Sequence, residues 1–122
     1  MTTRALVHTA VLLAALASPA AALAHAFLDR AVPSVGGTVH GKPTEVRLQF
    51  SQPLEPAFST VRVLDAGSKQ VDRKDKGLDP ADASVLRVSL PPLPPGVYRV
   101  VWRVLSTDTH VTEGDYTFEV AP

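Results

Sequence analysis

The sequence has no cysteine, and its single methionine is Met1. Those two absences exclude disulfides, zinc–thiolate sites, iron–sulfur clusters, thiolate-ligated copper, cysteine nucleophiles and sites built on thioether ligands. Charge of one sign is lacking too. Twelve basic residues balance 12 acidic ones, which leaves no electrostatic footprint for nucleic acid. Aromatics make up only 6% of the 122 residues, whereas there are 11 prolines and 7 glycines. That punctuation argues against a long helical bundle and for a turn-rich β fold.

Only one long apolar run exists, Ala5 to Ala17, interrupted by His8 and Thr9. Arg4 precedes it, and Ser18-Pro19 leads on to the small-x-small signature Ala22-Leu23-Ala24. The run is shorter than the ~20 residues a transmembrane helix needs. Residues 1–24 therefore read as an export signal, with cleavage after Ala24. Ala24-His25-Ala26 is a second small-x-small site, which would move the cut to after Ala26. The first cut leaves a single domain, 25–122, of 98 residues, with His25 at its N-terminus and 11 basic residues against 12 acidic. A chain of that size holds one small core and no second domain. An exported, cysteine-free chain suits a bacterial periplasm or the cell exterior.

From Glu45 onward the hydrophobic period is two. Val46, Leu48 and Phe50 alternate with Glu45, Arg47 and Gln49 until Ser51-Gln52-Pro53. Val61 and Val63 alternate with Thr60 and Arg62; Leu86, Val88 and Leu90 alternate with Arg87 and Ser89. Gly96 opens the longest run, in which Tyr98, Val100, Trp102 and Val104 share a face. Tyr116, Phe118 and Val120 close the chain, and Phe27 to Val32 reads as an edge strand ended by Pro33. About seven short strands separated by Gly and Pro turns make an all-β fold, a Greek-key barrel or sandwich of immunoglobulin-like type. The charged stretch Asp72 to Asp82 reads as a solvated loop.

Three histidines follow the signal: His25, His40 and His110. Asp108 and His110, in Ser106-Thr107-Asp108-Thr109-His110, would share a side if the extended backbone continued, with α-carbons ~6.6 Å apart. A carboxylate and an imidazole so placed can reach one metal ion, although Asp-x-His alone serves equally as an ordinary polar loop. An N-terminal His25 adds an α-amine and an imidazole that close a chelate ring on a single ion. Three nitrogens and an oxygen suit tetragonal Cu(II), which also heads the divalent affinity order; zinc accepts the same donors in a tetrahedron. His40 lies in a glycine-flanked turn without an acidic or histidine neighbour and reads as an exposed turn residue. Neither a Ser–His–acid triad nor an acid/base pair at Asp79 and Asp82 is supported.

Taken together and in order, these stretches resemble the CopC family of periplasmic copper-binding proteins. The likeness rests on His25-Ala26-Phe27-Leu28 with Pro33 and Gly36, on Leu48 to Pro53, on Tyr98 to Val104, on Ser106 to His110 and on Gly114 to Val120. The resemblance implies a β-barrel or sandwich that takes one Cu(II) per chain through His25 (amine and imidazole), Asp108 and His110. It also implies a CopD-like inner-membrane transporter as partner, and a monomeric carrier rather than an enzyme. Two departures stand out. Gln52 occupies a position where the family often has glutamate, and the lack of methionine removes the Met-rich Cu(I) loop of some members. Two other classes compete: an oxidative enzyme of the copper histidine-brace kind, and a metal-free immunoglobulin-like adhesion module.

Overall fold

The computed structural model describes residues 27–122. The described residues run through eight strands: β1 (Leu28–Val32), β2 (Thr38–Val39), β3 (Glu45–Phe50), β4 (Thr60–Leu64), β5 (Gly77–Asp79), β6 (Asp82–Ser89), β7 (Gly96–Leu105) and β8 (Val111–Val120). A 3-10 turn, Pro56–Phe58, precedes β4. They form two four-stranded sheets, β1-β3-β6-β5 and β2-β8-β7-β4, so the fold is a sandwich. Successive strands repeatedly cross from one sheet to the other, which places the loops at its two ends.

The period-two reading accounts for the core. Val46, Leu48 and Phe50 of β3 and Leu86 and Val88 of β6 face Val61, Val63, Tyr98, Val100, Val104, Phe118 and Val120 of the other sheet, all buried. Tyr98 and Phe118, opposite each other in register, stack with ring centroids 5.7 Å apart. Fully burying side chains of this size is worth ~1.5–3 kcal/mol each. As expected, β1 lies at a sheet edge and ends at Val32, before Pro33.

Three differences from the sequence reading have physical causes. The strand count is eight, because β2 and β5, of two and three residues, are too short to show a period. The last strand starts at Val111 rather than near Tyr116, since its first half pairs along β7 from Leu105 to Val101. Asp72 to Asp82 is no plain solvated loop either. Asp72 is buried against β4, β5 pairs with β6, and Asp79 Oδ2 lies 2.8 Å from Arg47 Nη2.

Candidate metal centre

The pair Leu105↔Val111 closes the β7–β8 hairpin around residues 106–110. The chain must reverse within that short connection, so the extended backbone does not continue through it. Ser106 N–H donates to His110 O at 3.0 Å, Thr109 N–H donates to Ser106 O at 2.9 Å, and Thr109 takes a left-handed φ of 73°. The expected strand-like spacing of Asp108 and His110 is therefore replaced by a turn that folds them onto each other. Asp108 Oδ1 lies 3.3 Å from both the backbone nitrogen and Nδ1 of His110. Their side chains are 34% and 45% exposed, open enough for an ion to approach.

Ser106 completes the arrangement. It is wholly buried, and its hydroxyl donates to Asp108 Oδ1. That hydrogen bond, followed by those from His110 and its charge, holds the Asp108 carboxyl below the ordinary carboxylate range. A carboxyl held in this way favours its anionic form, the form in which a carboxylate can ligate a metal. Nothing in the sequence marks Ser106 as more than a member of the Ser106 to His110 stretch; its complete burial is the signal that singles it out.

The segment 53–55 braces this hairpin from the side. Leu54 bridges to Ser106, Thr107 N–H donates to Pro53 O at 3.0 Å, and Glu55 N–H donates to Leu105 O at 2.8 Å. Just upstream, Ser51 N–H donates to Phe27 O at 2.8 Å and Phe27 N–H to Ser51 Oγ at 2.8 Å. Phe27, where the described chain begins, and Thr107 are therefore tied to the same short stretch, 51–53. Gln52 lies between the two anchor points, half-buried.

His25 lies outside the described residues, as does the 1–24 segment. Among the described residues no group of three or more His, Cys, Asp or Glu side chains converges on a point that could hold a metal. Asp108 and His110 supply one oxygen and one nitrogen donor, so a full coordination set needs further ligands. His40 is not brought to this pair. It follows β2, which pairs with the far end of β8 at Val120, so the length of β8 back to Val111 separates them, roughly 30 Å of strand. Asp79 and Asp82 are each held by other partners. Asp79 accepts from Ala81 N–H and binds Arg47, Asp82 accepts from Ser84, and these contacts lower both carboxyls.

Fold and site together define a class: a small two-sheet β-sandwich that presents a histidine–carboxylate pair from a hairpin at one end. Within that class the chain belongs to the CopC domain family, whose model matches residues 28–121. Copper resistance protein C of Escherichia coli is 35% identical over 108 residues, covering 81% of this chain and 83% of the relative. CopC from Methylosinus trichosporium OB3b has a TM-score of 0.75 at 38% identity, over 80% of this chain and 95% of that one. PcoC of Escherichia coli, described as a methionine-rich copper resistance protein, has a TM-score of 0.70 at 32% identity, over 79% and 98%.

Proposed function

We propose that the exported domain, residues 25–122, binds one Cu(II) through the amine and imidazole of His25 together with Asp108 and His110. It buffers or carries copper in the periplasm as a monomer without catalysing a reaction, and hands it to an inner-membrane transporter of the CopD type. The observation that carries this reading is the convergence of Asp108 and His110 in the β7–β8 hairpin. Its support is the tethering of Phe27 to the 51–53 stretch that also holds Thr107. His25 is two residues before Phe27, and two residues reach at most ~7 Å. Two residues from Ser51 to Pro53 span at most the same ~7 Å, so a ligand at His25 is within the chain's reach of the hairpin.

The donors are nitrogen and oxygen only, which suits Cu(II) and disfavours the softer Cu(I). With no methionine after Met1, the chain has no counterpart to the thioether-rich character named for PcoC.

Chelator competition with authentic 25–122 protein tests the reading against a version carrying one extra N-terminal residue. The extra residue turns the α-amine into an amide, which opens the chelate ring. Cu(II) affinity should fall by orders of magnitude while the fold persists. Equal affinities would remove His25 from the site. In the same assay His110→Ala should weaken binding more than Asp108→Ala, and His40→Ala should leave the paramagnetic resonance spectrum unchanged.

A further inference from the structure

The Ser106 hydroxyl carries one proton and has two acceptors in reach: Asp108 Oδ1, in close contact, and His110 O at 3.3 Å. The closer partner, which is also the charged one, takes the proton. Ser106 itself is fixed on every side: fully buried, bridged to Leu54, and bonded through its backbone N–H and C=O to His110 and Thr109. The carboxylate it holds is the reverse, exposed and carried on a turn. Oδ1 of Asp108 accepts from Ser106 Oγ and from His110 N–H and lies 3.3 Å from His110 Nδ1, whereas Oδ2 accepts from none of the described residues.

We propose that Ser106 is a positioning residue for the metal centre: a rigid, buried hydroxyl that occupies Oδ1 and so presents Oδ2 of Asp108 as the single metal-facing oxygen. The proposal rests on the Cu(II) reading above and deepens it. Ser106 touches no metal in this scheme; it acts only through Asp108.

That last condition gives the test. Cu(II) affinity and the paramagnetic resonance spectrum are measured for wild type, Ser106→Ala, Asp108→Ala and the double variant. Ser106→Ala alone should weaken binding about tenfold, as loss of a partner that orients a ligand does, and shift the hyperfine splitting. In the Asp108→Ala background the same change should cost less than about twofold, because the group it acts through has gone. Equal weakening in both backgrounds, or none in either, overturns the proposal. Ser106→Thr keeps the hydroxyl and should bind like wild type; a folded Thr variant that binds as poorly as Asp108→Ala also overturns it. A readout on the metal-free protein separates this from failure of the copper reading. Hydrogen exchange of the His110 amide should quicken in Ser106→Ala while the amides of β7 stay protected, whether or not wild type binds Cu(II). An unchanged His110 amide means that Ser106 does not hold the carboxylate.

Discussion

Strand β4 has β7 on one side and no strand on the other. On that free side the Val63 N–H donates to Asp72 Oδ2 at 2.8 Å, and Val63 O accepts from Val71 N–H at 2.8 Å. Asp72 Oδ1 accepts from Lys74 N–H at 2.8 Å, and Gln70 Nε2 lies within 3.2 Å of both carboxylate oxygens. A side chain thus satisfies a buried backbone group that a neighbouring strand would otherwise satisfy, and blunts the sheet edge. Asp72→Ala removes the acceptor of Val63 N–H, on a residue with no exposed surface. An unsatisfied buried donor costs ~1–3 kcal/mol, so urea unfolding should show a loss in that range. Asp72→Asn keeps one carbonyl oxygen and should lose less than half as much. A loss under about 0.5 kcal/mol for the alanine variant would mean that water replaces the carboxylate at Val63.

At the scale of elements, the β7–β8 hairpin carries both the core and the site. Trp102 and Gly114 are cross-strand partners, and a Cβ built on Gly114 would meet Trp102 Cζ2 at 2.6 Å. The glycine leaves room for the indole to lie over the strand, where its ring meets Phe50 edge-on with centroids 5.1 Å apart. Gly114→Ala must push the indole off that seat at a cost of about 1–3 kcal/mol. A lowered unfolding midpoint together with a shifted tryptophan emission should follow, and an unchanged emission would show that the backbone yields instead. The hairpin also shows how far the sequence could be read. Alternation at Tyr98 to Val104 and Tyr116 to Val120 identified both strands and their inward faces, because burial on one side imposes period two. The first half of β8 was hidden by Val111-Thr112-Glu113-Gly114, where a threonine and a glycine face inward and no hydrophobic period survives. At the candidate site, Asp-x-His is a weak signal by itself, and it is the family likeness that singles out Asp108 and His110. The ~6.6 Å spacing holds only if the backbone stays extended, and a left-handed Thr109 folds the loop instead. Ser106 went unread because nothing in a lone serine shows that it is buried.

For the whole molecule, the acidic residues set the pH range of stability. Four carboxyls lie below their ordinary values. Asp75 is held first by Ser89, Asp79 by Ala81 N–H and then Arg47, Asp82 by Ser84, and Asp108 by Ser106. A carboxyl whose folded pKa is depressed adds stability above its unfolded value of ~3.9, and that stability is lost as pH falls through the lower folded value. Tyr116 acts in the opposite direction. Burial raises its phenol, whose hydroxyl donates to Pro33 O at 2.8 Å; its contribution is present below ~pH 10 and lost as pH rises further. The metal-free protein should therefore show a flat unfolding temperature from about pH 5 to 9 and a decline below about pH 4. Three of the four carboxyls lie between Asp75 and Asp82, around the three-residue edge strand β5. Protonation should accordingly loosen that edge before the central pairing of β3 with β6. At about pH 3, hydrogen exchange should find the amides of Leu78 and Asp79 exposed while those of Leu48 and Leu86 stay protected. Simultaneous loss of protection at both places would show that the β5 edge and the core unfold as one unit, and that its ion pair and turn contacts give it no separate acid response.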